Sequence, residues 1–204
     1  MRPMSFTIPN LLSLLRMALV PPFIIALING QTKRALLIVV VAGISDVLDG
    51  LIARFFNQQS LLGTYLDPLA DKLLVTAAYV TLALPGLHHG FQIPAWVTVV
   101  VIARDVLLVV VALVLYLAAG VRRFPPSVLS KITTVFQIGA VVVVLLTGLW
   151  PELDTAALVL MYAVALLTLA SGLNYVWRAN RLFDRHPPAP GPPVPPTSTP
   201  TAAA

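Results

Sequence analysis

Residues 107–117 read LLVVVALVLYL, a run of apolar side chains with no charged residue in it. The run lies inside a longer apolar stretch, residues 93–119, and about 20 such residues cross the hydrocarbon core of a bilayer. A segment that spans a membrane must satisfy its own backbone hydrogen bonds, so helix is the expected state. Strands of a membrane barrel would alternate polar and apolar side chains, and this stretch does not. It therefore predicts an all-α membrane protein.

The composition points the same way. The chain has 204 residues, of which 58% are hydrophobic and 10% are charged, whereas roughly 25% are charged in an ordinary soluble domain. Cysteine is absent, which excludes disulfide frameworks, thiolate zinc sites and cysteine nucleophiles. The net charge is +5, but no basic stripe with interleaved aromatic residues is present. We therefore expect a membrane partner and no nucleic acid.

Working outward from residues 93–119, the chain contains six apolar runs of spanning length: 9–29, 34–56, 64–84, 93–119, 127–149 and 155–177. They predict a polytopic membrane protein with six transmembrane helices and a membrane domain over residues 1–180. Residues 186–204 are rich in proline, and we expect them to form a disordered tail. We expect no cleaved signal peptide, because Arg16 interrupts the first run and no small-residue cleavage site follows it.

The basic residues predict the orientation. Placing the N-terminus inside leaves only Lys33 and Arg34 on the outer side. The inner side then holds the remaining loop and end arginines, which are Arg2, Arg54, Arg122, Arg123, Arg178, Arg181 and Arg185. Because short cytoplasmic loops carry an excess of Lys and Arg, both termini are predicted to be cytoplasmic, in the cell (inner) membrane.

Four of the eight acids lie between residues 46 and 71, inside otherwise apolar runs, at Asp46, Asp49, Asp67 and Asp71. Each pair is spaced by three or four residues and so shares one helix face. Folding the second and third runs back about residue 58 brings the four carboxylates together near the cytoplasmic end. An ionisable side chain at membrane depth is expensive and normally faces a cavity. Clustered carboxylates suit Mg²⁺, Mn²⁺ or Ca²⁺, and two such ions would polarise a phosphoryl group.

Three neighbours of the acids support phosphoryl chemistry. Gly50 and Gly63 remove side chains where a cavity must admit a bulky substrate, although small residues also allow close helix packing. Arg54 offers a fork that matches a phosphate, or it anchors the helix end at the membrane surface. The pattern predicts metal-assisted phosphoryl transfer on a substrate that is reached from the membrane.

These residues resemble the signature of the CDP-alcohol phosphatidyltransferase family. The signature matches at every specified position: Asp46-x2-Asp49-Gly50-x2-Ala53-Arg54-x8-Gly63-x3-Asp67-x3-Asp71. The resemblance covers about residues 5–180 and includes six membrane spans. It implies transfer of the phosphatidyl group of CDP-diacylglycerol to an alcohol, with release of CMP, by an enzyme that uses Mg²⁺ or Mn²⁺, with two ions bound. It also implies a homodimer.

The same resemblance implies the roles of individual residues. Asp46, Asp49, Asp67 and Asp71 would hold the metal ions, and Asp71 would also be the general base that takes the proton of the acceptor hydroxyl. The donor would be bound by Pro9, Asn10, Gly50, Ala53, Arg54, Ser60 and Gly63. Ser60 also has a simpler interpretation as the N-cap of the third span.

Further motifs narrow the choice of acceptor alcohol to two candidates. The segments 7–12 and 66–72 resemble both phosphatidylglycerophosphate synthases and eukaryotic-type cardiolipin synthases, whereas residues 103–106 and 130–137 lean toward the latter. The acceptor is then glycerol 3-phosphate or phosphatidylglycerol, both anionic. Arg104 and Lys131 are the candidate phosphate ligands, and Asp105 is expected to pair with one of them. A purely structural Arg104–Asp105 ion pair is the alternative.

Two other classes of protein fit part of the pattern. A membrane cation transporter could use an acidic site, but it has no need for Gly50, Ala53, Arg54 and Gly63, and an arginine in the site would oppose cation passage. An aspartate-rich prenyltransferase shares the metal chemistry, but its acidic motifs have a different spacing and usually occur twice. Only one such cluster occurs here.

Overall fold

The structure is a computed structural model that describes residues 8–55, 61–87, 90–119 and 128–185. The described residues form helices and connecting turns, with no strand among them, which confirms the all-α prediction for this part of the chain. The α-helices are α1 (Ile8–Ala18), α2 (Val20–Ile28), α3 (Thr32–Phe55), α4 (Leu61–Ala83), α5 (Ala95–Ala119), α6 (Val128–Thr147) and α7 (Asp154–Arg185). A 3₁₀ turn, Pro151–Leu153, precedes α7. The predicted tail, residues 186–204, lies outside the described residues.

The first predicted span is two helices rather than one. Helix α1 ends at Ala18. The backbone N–H of the next residue, Leu19, donates to the carbonyl oxygens of Leu15 and Arg16, at distances of 2.9 Å and 3.2 Å. Pro21 and Pro22 then occupy the first turn of α2, where a missing backbone N–H breaks no helical hydrogen bond. The break leaves α1 as a separate helix that packs against both α3 and α4.

The hydrophobic core lies at one end of the bundle. It is built from α2, the first turns of α3, the last turns of α4 and the adjoining ends of α5, α6 and α7, with Phe23, Leu27, Tyr79, Val97 and Leu145 fully buried. The acid-bearing turns of α3 and α4 lie at the other end. The apolar half therefore holds the helices together and leaves the polar half to form a site.

Several helices present large apolar side chains outward. Leu166 on α7 and Val109 on α5 are exposed over more than two thirds of their surface. Two helical segments, Val128–Thr147 and Pro151–Arg181, are long and apolar enough to cross a membrane. Helices α3, α4 and α5 have 24, 23 and 25 residues, which is also enough length, but α3 and α4 carry the acids of the motif. The helices fit a membrane-associated protein, and the count of six spans stays a prediction.

Candidate active site

Asp46 forms an ion pair with Arg16 at the polar end of the bundle. The Nη1 atom of Arg16 on α1 lies 2.8 Å from Oδ1 of Asp46 on α3. The Arg16 side chain is 1% exposed, whereas that of Asp46 is 49% exposed. The buried guanidinium contacts one oxygen of the carboxylate, and about half of the Asp46 side chain is exposed. Asp46 is therefore accessible to a ligand.

A cavity of about 250 Å³ adjoins this ion pair. Arg16 and Asp46 line its polar part, and the remaining wall comes from α3, α4 and α6, namely Val39, Ala42, Gly43, Leu74, Val75, Ala78, Val135, Ile138 and Val141. Small residues on α3 and α4 leave this space between the helices, while α1 packs against both. The cavity thus combines one charged end with an apolar wall, a lining that suits an amphiphilic ligand.

The other predicted metal ligands lie on the same two helices. Asp49 is on α3, and Asp67 and Asp71 are on α4. Their side chains are outside the described part of the structure, as are those of Pro9 and Asn10 on α1. Gly50, Ala53, Arg54 and Gly63 also fall on helical backbone, within α3 and α4. Ser60 lies in the interval 56–60, which the structure does not describe. The placement of these side chains stays a prediction.

A second polar cluster surrounds Arg104 on α5, which is 5% exposed. Its Nη1 donates to Oδ1 of Asp105 at 2.8 Å. Its Nη2 donates to the hydroxyl oxygens of Ser130 on α6, at 2.6 Å, and Ser171 on α7, at 2.8 Å. These contacts tie three helices to one guanidinium. Because a buried cation is costly unless it is paired and hydrogen-bonded, the serines and the aspartate explain how Arg104 is tolerated here.

Asp105 pairs with two cations, and one of them is Lys72. The Nζ atom of Lys72 on α4 lies 2.6 Å from the same Oδ1 that Arg104 contacts. The expected pairing with Arg104 is therefore present. Lys131 is exposed on α6, and no contact described for it reaches this cluster. Its predicted role as a phosphate ligand is not tested by the described contacts.

A wider cavity, of about 600 Å³, opens between α5 and α7 beside Arg104. Apart from Arg104, Thr168 and Asn180, its wall is apolar or aromatic and includes Trp177. Arg181 lies over the Trp177 ring, with its guanidinium carbon 3.6 Å from the ring centroid. Arginine and tryptophan side chains each combine an apolar body with a polar end. Such a stacked pair therefore suits a membrane interface, where water lies on one side and lipid on the other.

Sequence reasoning did not assign roles to Lys72 and Arg16. Both signals were available, because each is a cation inside an otherwise apolar run. The spacing within one helix could not show which acidic side chain on another helix each cation pairs with. Lys72 and Asp105 are 33 residues apart, and Arg16 and Asp46 are 30 residues apart, on different helices. Such pairs depend on which helices pack together.

The sequence matches known proteins over most of its length. The family model described as CDP-alcohol phosphatidyltransferase matches residues 6–170. The chain belongs to the CDP-alcohol phosphatidyltransferase family. It is therefore a transferase of phospholipid synthesis, in agreement with the prediction from the aspartate motif.

Individual relatives carry two different names. A Mycobacterium tuberculosis protein named "Probable phosphatidylglycerophosphate synthase" is 36% identical over 180 residues, which cover 84% of this chain and 81% of that protein. A human protein named "Cardiolipin synthase (CMP-forming)" is 34% identical over 189 residues, which cover 83% of this chain and 60% of that protein. A Drosophila melanogaster protein named "Probable cardiolipin synthase (CMP-forming)" is 33% identical over 194 residues, with 87% and 59% covered. Identities this similar do not favour one of the two names over the other.

Proposed function

We propose that this protein moves the phosphatidyl group of CDP-diacylglycerol to a glycerol-type alcohol and releases CMP. The cavity beside Arg16 and Asp46 carries the proposal, because it joins a charged end to an apolar wall. The nucleotide diphosphate of the donor would lie at the charged end. The acyl chains would lie along the apolar side chains of α3, α4 and α6.

Asp46, Asp49, Asp67 and Asp71 would hold two divalent ions, Mg²⁺ or Mn²⁺. The carboxylate of Asp46 fits such an ion, because it is half-exposed beside the cavity and its oxygen chemistry suits a hard cation. When bound, the ions would stabilise charge on the diphosphate and the leaving CMP. Asp71 would take the proton of the acceptor hydroxyl, which is a poor nucleophile until it is deprotonated. Arg16 would keep Asp46 in the orientation that it has here.

The remaining motif residues would bind the donor. Arg54 would pair with the diphosphate, since a guanidinium fork matches phosphate oxygens. Gly50, Ala53 and Gly63 would leave room for the nucleotide on the helix faces that bear the acids. Pro9, Asn10 and Ser60 would complete the nucleotide's edge.

The acceptor would be anionic, either glycerol 3-phosphate or phosphatidylglycerol. Arg104 and Lys131 would attract its phosphate. The apolar cavity beside Arg104 favours phosphatidylglycerol as a second candidate, because the cavity could receive acyl chains that glycerol 3-phosphate does not have. Offering each acceptor separately, with analysis of the lipid products, distinguishes a phosphatidylglycerophosphate synthase from a cardiolipin synthase.

We also propose that the protein is a homodimer that crosses the cell (inner) membrane six times, with both termini and the active site toward the cytoplasm. A single cysteine at position 122 would then be labelled only by a reagent that reaches the cytoplasmic side. Labelling from the outside alone would contradict this orientation. Cross-linking of two differently tagged copies in the membrane tests the dimer.

The decisive experiment is CMP release by the purified protein. CDP-diacylglycerol, Mg²⁺ and each acceptor would be supplied in lipid nanodiscs, with a sample lacking the acceptor as the control. We expect CMP release that depends on both the metal and the acceptor. The absence of CMP with either acceptor would remove the enzyme proposal. Ion flux in sealed vesicles would then test the cation-transporter alternative.

A further inference from the structure

Lys72 and Arg104 share one carboxylate oxygen. Their nitrogen atoms lie 2.6 Å and 2.8 Å from Oδ1 of Asp105, and these are the ion pairs described for both cations. The group therefore carries two positive charges against one negative charge. The other contacts of Arg104 are the neutral hydroxyls of Ser130 and Ser171. In the part of the chain that the structure describes, one positive charge of this group is left uncompensated.

The two cations differ in how much they can still bind. The Arg104 side chain is 4% exposed, and its Nη1 and Nη2 atoms are already engaged. The Lys72 side chain is 36% exposed, and an ammonium group has three donors, of which the structure describes one as used. Lys72 is therefore the accessible member of the pair, while Arg104 contributes its charge and fixes Asp105.

From this geometry we infer that Lys72 is a phosphate-binding residue, held in place by Asp105, and that it receives the phosphate of the acceptor. An anion on Lys72 would balance the excess positive charge of the cluster. Asp105 is a positioning residue in this arrangement, because it holds the lysine of α4 against the arginine of α5. The inference deepens the proposed function and rests on it for the identity of the anion.

The position of Lys72 in the chain places the proposed phosphate site next to the proposed general base. Lys72 directly follows Asp71, the proposed base, on the same turn of α4. An acceptor whose phosphate is bound by Lys72 would have its glycerol hydroxyls close to that turn. Holding a reactant next to the group that deprotonates it removes much of the entropic cost of the reaction. Lys72 would thus link acceptor affinity to the position of the attacking hydroxyl.

The test compares four proteins in nanodiscs: the wild type, Lys72→Met, Lys72→Arg and Lys33→Met. Lys33 is exposed at the other end of the bundle, at the start of α3, and serves as the matched control. The probes are glycerol 3-phosphate and short-chain phosphatidylglycerol. Binding of each probe is measured by the shift that it causes in the thermal unfolding temperature. For the probe that binds the wild type, we expect Lys72→Met to reduce the affinity by about tenfold or more, which corresponds to about 1.4 kcal/mol. Lys72→Arg and Lys33→Met should bind it as the wild type does.

Steady-state kinetics give a second measurement. Lys72→Met should raise the KM for the acceptor by about tenfold, with the KM for CDP-diacylglycerol unchanged and rescue by Lys72→Arg. A merely structural lysine would instead lower kcat or raise both KM values together. If Lys72→Met does not fold, Lys72→Gln takes its place, since glutamine also removes the charge and keeps a polar end.

The outcomes separate this inference from the proposed function. Unchanged acceptor binding in Lys72→Met, or the absence of a saturable shift in the wild type with either probe, overturns the phosphate site even if CMP is released. Loss of probe binding in Lys72→Met together with no CMP release by the wild type keeps the site and rejects the transferase. An equal loss in Lys33→Met would show a general charge effect and would also overturn the site.

Discussion

Replacing Arg104 with methionine tests whether this residue contributes to acceptor binding or only holds helices together. The substitution removes the hydrogen bonds to Ser130 and Ser171, at 2.6 Å and 2.8 Å. It also removes the contact with Asp105, but that carboxylate keeps its ion pair with Lys72. The change therefore removes a buried cation without leaving its acidic partner unpaired.

The expected effect on stability is moderate. Hydrogen bonds to charged groups contribute about 1.5–3 kcal/mol each, so loss of the two serine bonds sets an upper limit of roughly 3–6 kcal/mol. Part of this is recovered, because Arg104 is 5% exposed and removal of a buried charge relieves its desolvation cost. We expect a net loss of about 1–3 kcal/mol, measured by thermal unfolding in detergent micelles.

The expected effect on acceptor binding is selective. Arg104 acts on the acceptor phosphate through its positive charge and through Asp105, which also holds Lys72, and a loss of about 1.4 kcal/mol corresponds to roughly a tenfold rise in KM. CMP release measured against acceptor concentration should show this rise, with the KM for the donor unchanged. Arg104→Lys should recover little of the loss, because lysine does not have the guanidinium fork.

Ser171→Ala is the matched control for this experiment. It removes one hydrogen bond from a fully buried serine and leaves the guanidinium in place. We expect Ser171→Ala to lose about half as much stability as Arg104→Met. The acceptor KM should stay within about threefold of the wild-type value, which is less than a tenfold change in affinity. An unchanged acceptor KM in Arg104→Met, alongside reduced stability, would refute the binding role and leave a structural ion pair.

Three further outcomes are expected. Asp71→Asn should nearly abolish CMP release while leaving binding of CDP-diacylglycerol largely intact, because a carboxamide cannot take the acceptor proton; wild-type turnover would reject Asp71 as the base. Arg16→Met should raise the Mg²⁺ concentration for half-maximal activity by about tenfold or more, since partners that orient a metal ligand typically contribute this much, and the same Mg²⁺ titration as the wild type would contradict the positioning of Asp46. Gly90→Ala should lower the unfolding temperature, because Gly90 has φ +120° and an added Cβ would lie 2.6 Å from a backbone nitrogen in the turn after α6; an unchanged melting curve would show that the loop adjusts.

The helices themselves were largely predictable from the chain. The second to sixth apolar runs correspond to α3 to α7, because each run is long and its breaks carry turn or charge signals. Their ends differ by up to three residues, except that α7 continues to Arg185, eight residues beyond the last run. The first run, residues 9–29, is divided at Leu19 into α1 and α2. Pro21 and Pro22 marked the break, since proline is favoured in a first helical turn and disfavoured within a helix.

The candidate site was predictable only in part. The spacing of Asp46 and Asp49 on α3 identifies a common helix face and, with the rest of the motif, the family. The partner of each charge was harder to infer. Asp105 was expected to pair with Arg104 or Lys131, and it contacts Arg104 and Lys72. A period of 3.6 residues says which side chains share a face of their own helix, but it does not say which other helix that face meets.

The sequence by itself determined the membrane-type composition, the helical state and the phosphatidyltransferase motif, because these depend on local periodicity and on residue types at short spacing. The tertiary structure decided that Arg16 of α1 lies against Asp46 and that Lys72 meets Arg104 around one carboxylate. Both arrangements join residues about 30 positions apart. They follow from the packing of α1 against α3 and of α4 against α5, which is set by the fit of whole helix surfaces.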